Sequence, residues 1–122
     1  MKTKLILYCS LFCLFLSGCE DIFLKDISDK QVAVISPVAD TFSEGEKILF
    51  SWEPMEGAEK YHIEVASPSF DAGSLLFDTS TDTTRVELSL YEGKYQWSVY
   101  GYNYGYKSKK ITRSFEIKKD EE

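Results

Sequence analysis

The chain has 122 residues, 43% of them hydrophobic and 15% aromatic, with 14 basic residues against 20 acidic ones and a net charge of −6. That length allows one small domain and excludes a two-domain enzyme or a doubly wound nucleotide-binding fold. The apolar and aromatic content excludes a wholly disordered chain, and the acidic balance argues against a nucleic-acid partner, whose phosphates require a basic face.

The N-terminus reads as a targeting segment. Lys2 and Lys4 form a positive start, and Leu5 to Leu16 is an apolar run interrupted only by Tyr8, Cys9, Ser10 and Cys13. The run is too short for a comfortable membrane span, which needs about 20 residues, and fits a secretory signal. It ends in Leu16-Ser17-Gly18-Cys19, which resembles the lipobox of bacterial lipoproteins. The resemblance implies cleavage before Cys19, a diacylglycerol thioether on its sulfur and usually an acyl group on the new amine. The signal peptide is then 1–18, and 104 residues remain with 12 basic and 20 acidic groups, a net of −8. Cys9 and Cys13 leave with the leader, so the mature chain has neither free thiol nor disulfide, and the domain relies on its core. Several acyl chains, at roughly 0.8 kcal/mol per buried CH₂, make a permanent membrane anchor.

Residues 19–31 read as a lipidated tether. Glu20 to Gln31 shows neither strand nor helix period, and twelve extended residues reach about 40 Å. Ile22, Phe23 and Leu24 interrupt it, either dipping into the membrane interface or packing on the domain. Glu20-Asp21 after the cysteine resembles the surface-export signals of some Gram-negative lipoproteins, although the nearest lysine is Lys25. The expected location is the outer membrane, in one leaflet or the other.

From residue 32 to residue 118 the sequence alternates with period two and breaks at turn residues every 8–12 positions, the pattern of an all-β domain. Expected strands are Gln31–Ser36, Lys47–Trp52, Lys60–Ala66, a short edge strand Leu75–Asp78, Arg85–Leu90, Lys94–Tyr102 and Lys110–Lys118. Ile48, Phe50 and Trp52 share a face, as do Tyr61, Ile63 and Val65, and Tyr95, Trp97 and Val99. Arg113 falls in phase with Ile111, Phe115 and Ile117, which requires a rim position with its stem buried or a bulge. Seven antiparallel strands, each with a polar face, predict two packed sheets, followed by a charged tail at 119–122.

The residues resemble fibronectin type III domains, an immunoglobulin-like β-sandwich family, over Ile35 to Ile117. Phe50-Ser51-Trp52-Glu53-Pro54 looks like the family's second strand with its central tryptophan. Ala58 and Tyr61 to Val65 look like its third strand, and Leu88 to Gly105 like its sixth. The resemblance makes Tyr95 the corner tyrosine, bonded back to upstream backbone, and makes Phe50, Trp52, Tyr61, Tyr95 and Trp97 the structural core. Asn103-x-Gly105 matches the turn after the sixth strand. The Arg-Gly-Asp tripeptide is absent, so integrin-type binding is not implied. The fold serves widely as a spacer or binding module.

Chemistry is sparsely represented. His62 is the single histidine and falls on the expected solvent face of a strand, which argues against a catalytic triad, and a histidine zinc site lacks a second imidazole. With Glu64 it reads as a solvated pair. Asp78 to Thr84 reads as a polar turn lacking the glycine and terminal glutamate of a calcium loop. No catalytic residue, metal or cofactor is expected. The remaining constellation is Tyr100, Tyr102, Tyr104 and Tyr106, at every second position. With Tyr95, Trp97 and Val99 inward, parity turns Tyr100 and Tyr102 outward and carries Tyr104 and Tyr106 onto the following turn. Lys107, Lys109 and Lys110 flank it. The stripe suits a protein partner or a glycan, or cross-strand packing alone. The expectation is a non-catalytic envelope lipoprotein that binds or assembles through this face, the alternative being a glycan-capturing accessory of a surface nutrient-uptake system.

Overall fold

A computed structural model describes residues 24–119. The leader, Cys19, the Glu20-Asp21 pair, Ile22, Phe23 and residues 120–122 lie outside the described residues. The strands are β1 (Val34–Ser36), β2 (Thr41–Ser43), β3 (Lys47–Trp52), β4 (Lys60–Ser67), β5 (Ser74–Thr81), β6 (Arg85–Ser89), β7 (Gly93–Tyr102) and β8 (Ile111–Lys118). They form a three-stranded sheet in the order β1-β3-β6 and a five-stranded sheet in the order β2-β8-β7-β4-β5. No helix among the described residues is long and apolar enough to cross a membrane.

Alternation in sequence becomes the core. Ile48, Phe50 and Trp52 of β3 face Tyr61, Ile63 and Val65 of β4, and Tyr95, Trp97 and Val99 of β7; all are buried. Phe115 and Ile117 of β8 complete the layer. The aromatic rings meet edge to face, Phe50 against Trp97 at 4.9 Å and Trp52 against Tyr61 at 5.6 Å, while Tyr95 stacks on Phe115 at 5.2 Å. Such pairs add about 0.5–1.5 kcal/mol each beyond their buried area. The Tyr95 hydroxyl donates to the Tyr91 carbonyl at 2.6 Å, closing the corner before β7; burial raises its phenol pKa.

The structure departs from the sequence reading at three places and, at Arg113, selects one of the two expected alternatives. β2 is an eighth, three-residue strand and runs parallel to β8, pairing Thr41 with Glu116 and Ser43 with Lys118. Three residues carry too little alternation to register as a strand. β5 continues past Asp78, the expected end of the edge strand, to Thr81, so Thr79, Ser80 and Thr81 pair with β4 rather than forming a turn. Its β-branched threonines fit a pleated surface. Arg113 pairs with Trp97 in an unbroken β7–β8 register and is exposed at the rim, so no bulge is involved.

The third departure concerns the expected tether. From residue 24 the chain packs on the sandwich. Ile27 is fully buried, the Lys109 amide donates to the Lys30 carbonyl at 2.8 Å, and Gln31 bridges Lys109. The physical reason lies in two residues elsewhere. Gly57 has φ +94, a backbone conformation side chains rarely adopt, and a Cβ there would sit 2.9 Å from Ile27 Cγ2 and 3.0 Å from Lys25 Cβ. Asn103 supplies the polar half of the dock.

Candidate functional site

The β7–β8 connection is built on Asn103. Its Oδ1 accepts from the amides of Gly105 and Tyr106, both at 2.9 Å. Its Nδ2 donates to the Lys25 and Gly57 carbonyls, also at 2.9 Å. One buried side chain thus closes the hairpin turn and ties it to the N-terminal segment and the β3–β4 loop. The Asn103 amide donates to the Tyr106 carbonyl at 2.9 Å, which leaves Tyr104 and Gly105 at the tip.

This turn divides the tyrosine stripe. Tyr100 and Tyr102 are half-buried side by side on the outer face of the five-stranded sheet, ring centroids 6.2 Å apart. Tyr104 is 88% exposed and Tyr106 38% exposed at the hairpin. The first pair continues into His62, whose ring lies 5.4 Å from that of Tyr100. The Lys107 and Lys110 amines each lie 5.8 Å from the Tyr100 centroid, a cation–π arrangement. Burial first, then the Glu64 carboxylate, raises the Tyr100 phenol pKa, with Lys110 opposing. The phenol therefore stays protonated at neutral pH and offers a hydroxyl beside a flat ring.

Beside Tyr100 lies a polar cluster. Register places His62 opposite Ser80 and Glu64 opposite Asp78. His62 Nδ1 is 3.0 Å from Ser80 Oγ, and Nε2 contacts Asp78 and lies 3.7 Å from Glu64 Oε1. Lys110 reaches the same Glu64 oxygen at 3.2 Å. His62, Glu64 and Asp78 bring one nitrogen and two carboxylate donors within 4.8 Å of one another, a set able to hold a divalent cation. The sequence places His62 beside Glu64 and puts Asp78 at the junction of the edge strand and the polar turn, with nothing local to join it to the pair. The signal available was the phase of Asp78 and Ser80 against Phe77 and Thr79.

An open depression of about 720 Å³, lined by Ser43, Glu92, Gly93, Glu116, Ile117 and Lys118, lies at the opposite end of the sandwich and shares no residue with the tyrosine face. The five predicted core residues, Phe50, Trp52, Tyr61, Tyr95 and Trp97, lie between the sheets, while Cys19 is outside the described residues.

No protein-family model matches the chain, and no curated protein matches it. Solved structures do. The fibronectin(III)-like modules of Clostridium thermocellum CbhA superpose with a TM-score of 0.55 at 14% identity, covering 75% of this chain and 100% of theirs. The FN3tt domain gives a TM-score of 0.51 at 19% identity over 72% of this chain and 89% of its own. A mutant of FN3tt gives 0.50 at 22% identity over 75% and 96%. The fold is therefore a fibronectin type III-like β-sandwich.

Proposed function

We propose that the protein is a non-catalytic lipoprotein of the cell envelope, anchored in the outer membrane through Cys19, whose sandwich acts as a small binding or assembly module through its tyrosine-rich face. The observation that carries the binding role is the continuous run Tyr102–Tyr100–His62 on an open sheet face, with two lysine amines over its central ring. Rigid aromatic rings bordered by amines offer large contact area at small entropic cost, the chemistry of an interface anchor. The anchoring role rests on Leu16-Ser17-Gly18-Cys19. Capture of a glycan is the second reading, favoured by carboxylates and an imidazole set directly beside the rings.

Replacing Tyr100 and Tyr102 together by serine is expected to cost about 1–2 kcal/mol of stability from lost cross-strand pairs. Binding is expected to fall by at least about tenfold, because aromatic anchors dominate interfaces. Affinity capture from the native envelope, alongside a glycan array, measures the loss and separates the two readings. Tyr95→Phe is the control: it removes the corner hydrogen bond, lowers stability by about 1–2 kcal/mol, and leaves binding unchanged. A folded double variant that retains every wild-type ligand returns the tyrosines to a packing role.

Cys19→Ser is expected to abolish acylation and release the protein to an unprocessed or soluble pool, read by acyl labelling and detergent-phase partitioning. Acyl labelling that persists in this variant removes the anchor from the proposal.

A further inference from the structure

We infer that the end of the sandwich formed by Leu24 and the Tyr104–Gly105–Tyr106 turn rests against the headgroup layer of the membrane that holds the Cys19 anchor, with the strands standing away from the bilayer. The inference rests on the anchoring reading above and adds an orientation and a lipid-contact surface.

Chain length sets the orientation. The N-terminal segment is fixed to the sandwich from Leu24 onward: a Cβ on Gly105 would meet Leu24 Cδ1 at 3.0 Å, and Asn103 bonds the next carbonyl, that of Lys25. Five residue steps separate Cys19 from Leu24, a reach of at most about 18 Å. The headgroup layer takes up roughly 5–8 Å of that. β7 alone has ten residues, about 33 Å at strand rise, so the opposite end of the sandwich cannot swing down to the lipid on such a short lead.

The two ends also differ in chemistry. The end nearest the lead exposes Tyr104 at 88%, Leu24 at 39% and Tyr106 at 38%. From Tyr104 to Lys110 the hairpin carries Lys107, Lys109 and Lys110 and no acid. Aromatic rings with a flanking lysine are what membrane interfaces favour, the rings at headgroup depth and the amine toward anionic lipid; Lys109 is exposed, whereas the Lys107 and Lys110 amines lie over Tyr100 and Lys110 pairs with Glu64. Of the acids near this end, Glu56 is paired with Lys25 at 2.8 Å and Asp26 is held by the Ser28 amide and hydroxyl, while Asp29, Glu53, Glu59 and Asp82 remain exposed. The far end presents Asp40, Glu44, Glu46, Asp71 and Glu92 together with Lys47, Lys94, Lys118 and Lys119, and it also exposes Leu75 and Leu76, so the length of the lead, not charge alone, selects the near end. Tyr91, also at the far end, is 85% exposed and serves as a matched reporter.

The test uses the mature chain from Cys19, unacylated, coupled through that thiol to a maleimide phospholipid in vesicles of phosphatidylcholine and phosphatidylglycerol. Coupling in vitro replaces processing by the cell, so a failure of Cys19 acylation in vivo and a failure of this orientation are read in separate experiments. Tyr104→Trp and Tyr91→Trp variants are compared with the parent, whose Trp52 and Trp97 are buried and supply a common background. Lipids brominated near the headgroup end of the acyl chains are expected to quench the emission added by Tyr104→Trp at least about twofold more than that added by Tyr91→Trp. Equal quenching, or stronger quenching of the Tyr91→Trp variant, overturns the inference.

Discussion

Trp52→Ala is expected to remove about 3–5 kcal/mol of stability, a large part of the 5–15 kcal/mol typical of a domain. Trp52 is 1% exposed and meets Tyr61 edge to face across the sandwich. Its removal leaves a void between β3 and β4 that neither sheet can close without breaking register. The indole Nε1 has no hydrogen-bond partner among the described residues, so part of what the ring contributes is offset by a desolvated N–H. Trp52→Phe is therefore expected to cost much less, about 1–2 kcal/mol, because it deletes the unpaired donor along with some of the volume. Denaturant unfolding followed by Trp97 fluorescence measures both variants. A Trp52→Ala protein with wild-type stability would contradict the central packing role of this residue.

Asn103→Asp is expected to cost about 2–4 kcal/mol. The substitution keeps the oxygen that accepts from Gly105 and Tyr106 but puts a second oxygen where Nδ2 donated to Lys25 and Gly57. Two carbonyls then face a carboxylate. The loss should shrink as pH falls, because a protonated carboxyl again donates one hydrogen bond and the neutral form is the one the site favours. Trypsin gives a local readout: Lys25 and Lys30 become cleavable when the N-terminal segment lifts away, before the sandwich itself unfolds. Cleavage at the wild-type rate would mean that Ile27 and the backbone contacts of Lys30 and Gln31 with Lys109 hold the segment without Asn103.

What the sequence discloses here follows the range of each interaction. The alternation of Tyr95, Trp97 and Val99 is local, and it places β7, its core face and the outward direction of Tyr100 without knowledge of any partner strand. The dock of residues 24–31 has no local signature. Its polar half joins Lys25 to Asn103 across 78 positions, and its apolar half depends on the space left at Gly57. A polar, aperiodic stretch therefore reads as spacer. β2 escapes for the same reason, its three residues being held by a parallel partner near the other end of the chain. Asp78 joins His62 only because the β4–β5 register sets it opposite Glu64.

The meeting of first and last segments also governs how the chain must fold. Gln31 bridges Lys109, and β2 lies along β8, so the earliest part of the domain to be synthesised finds its partners only when nearly the whole chain is present. Closing a loop of that size precedes any reward from the contacts it brings together, which is the hallmark of slow, high-contact-order folding on the millisecond-to-second scale. The last segment to be synthesised is therefore the one that clamps Gln31 and β2 in place, whereas β1 already meets β3 once the chain reaches Trp52.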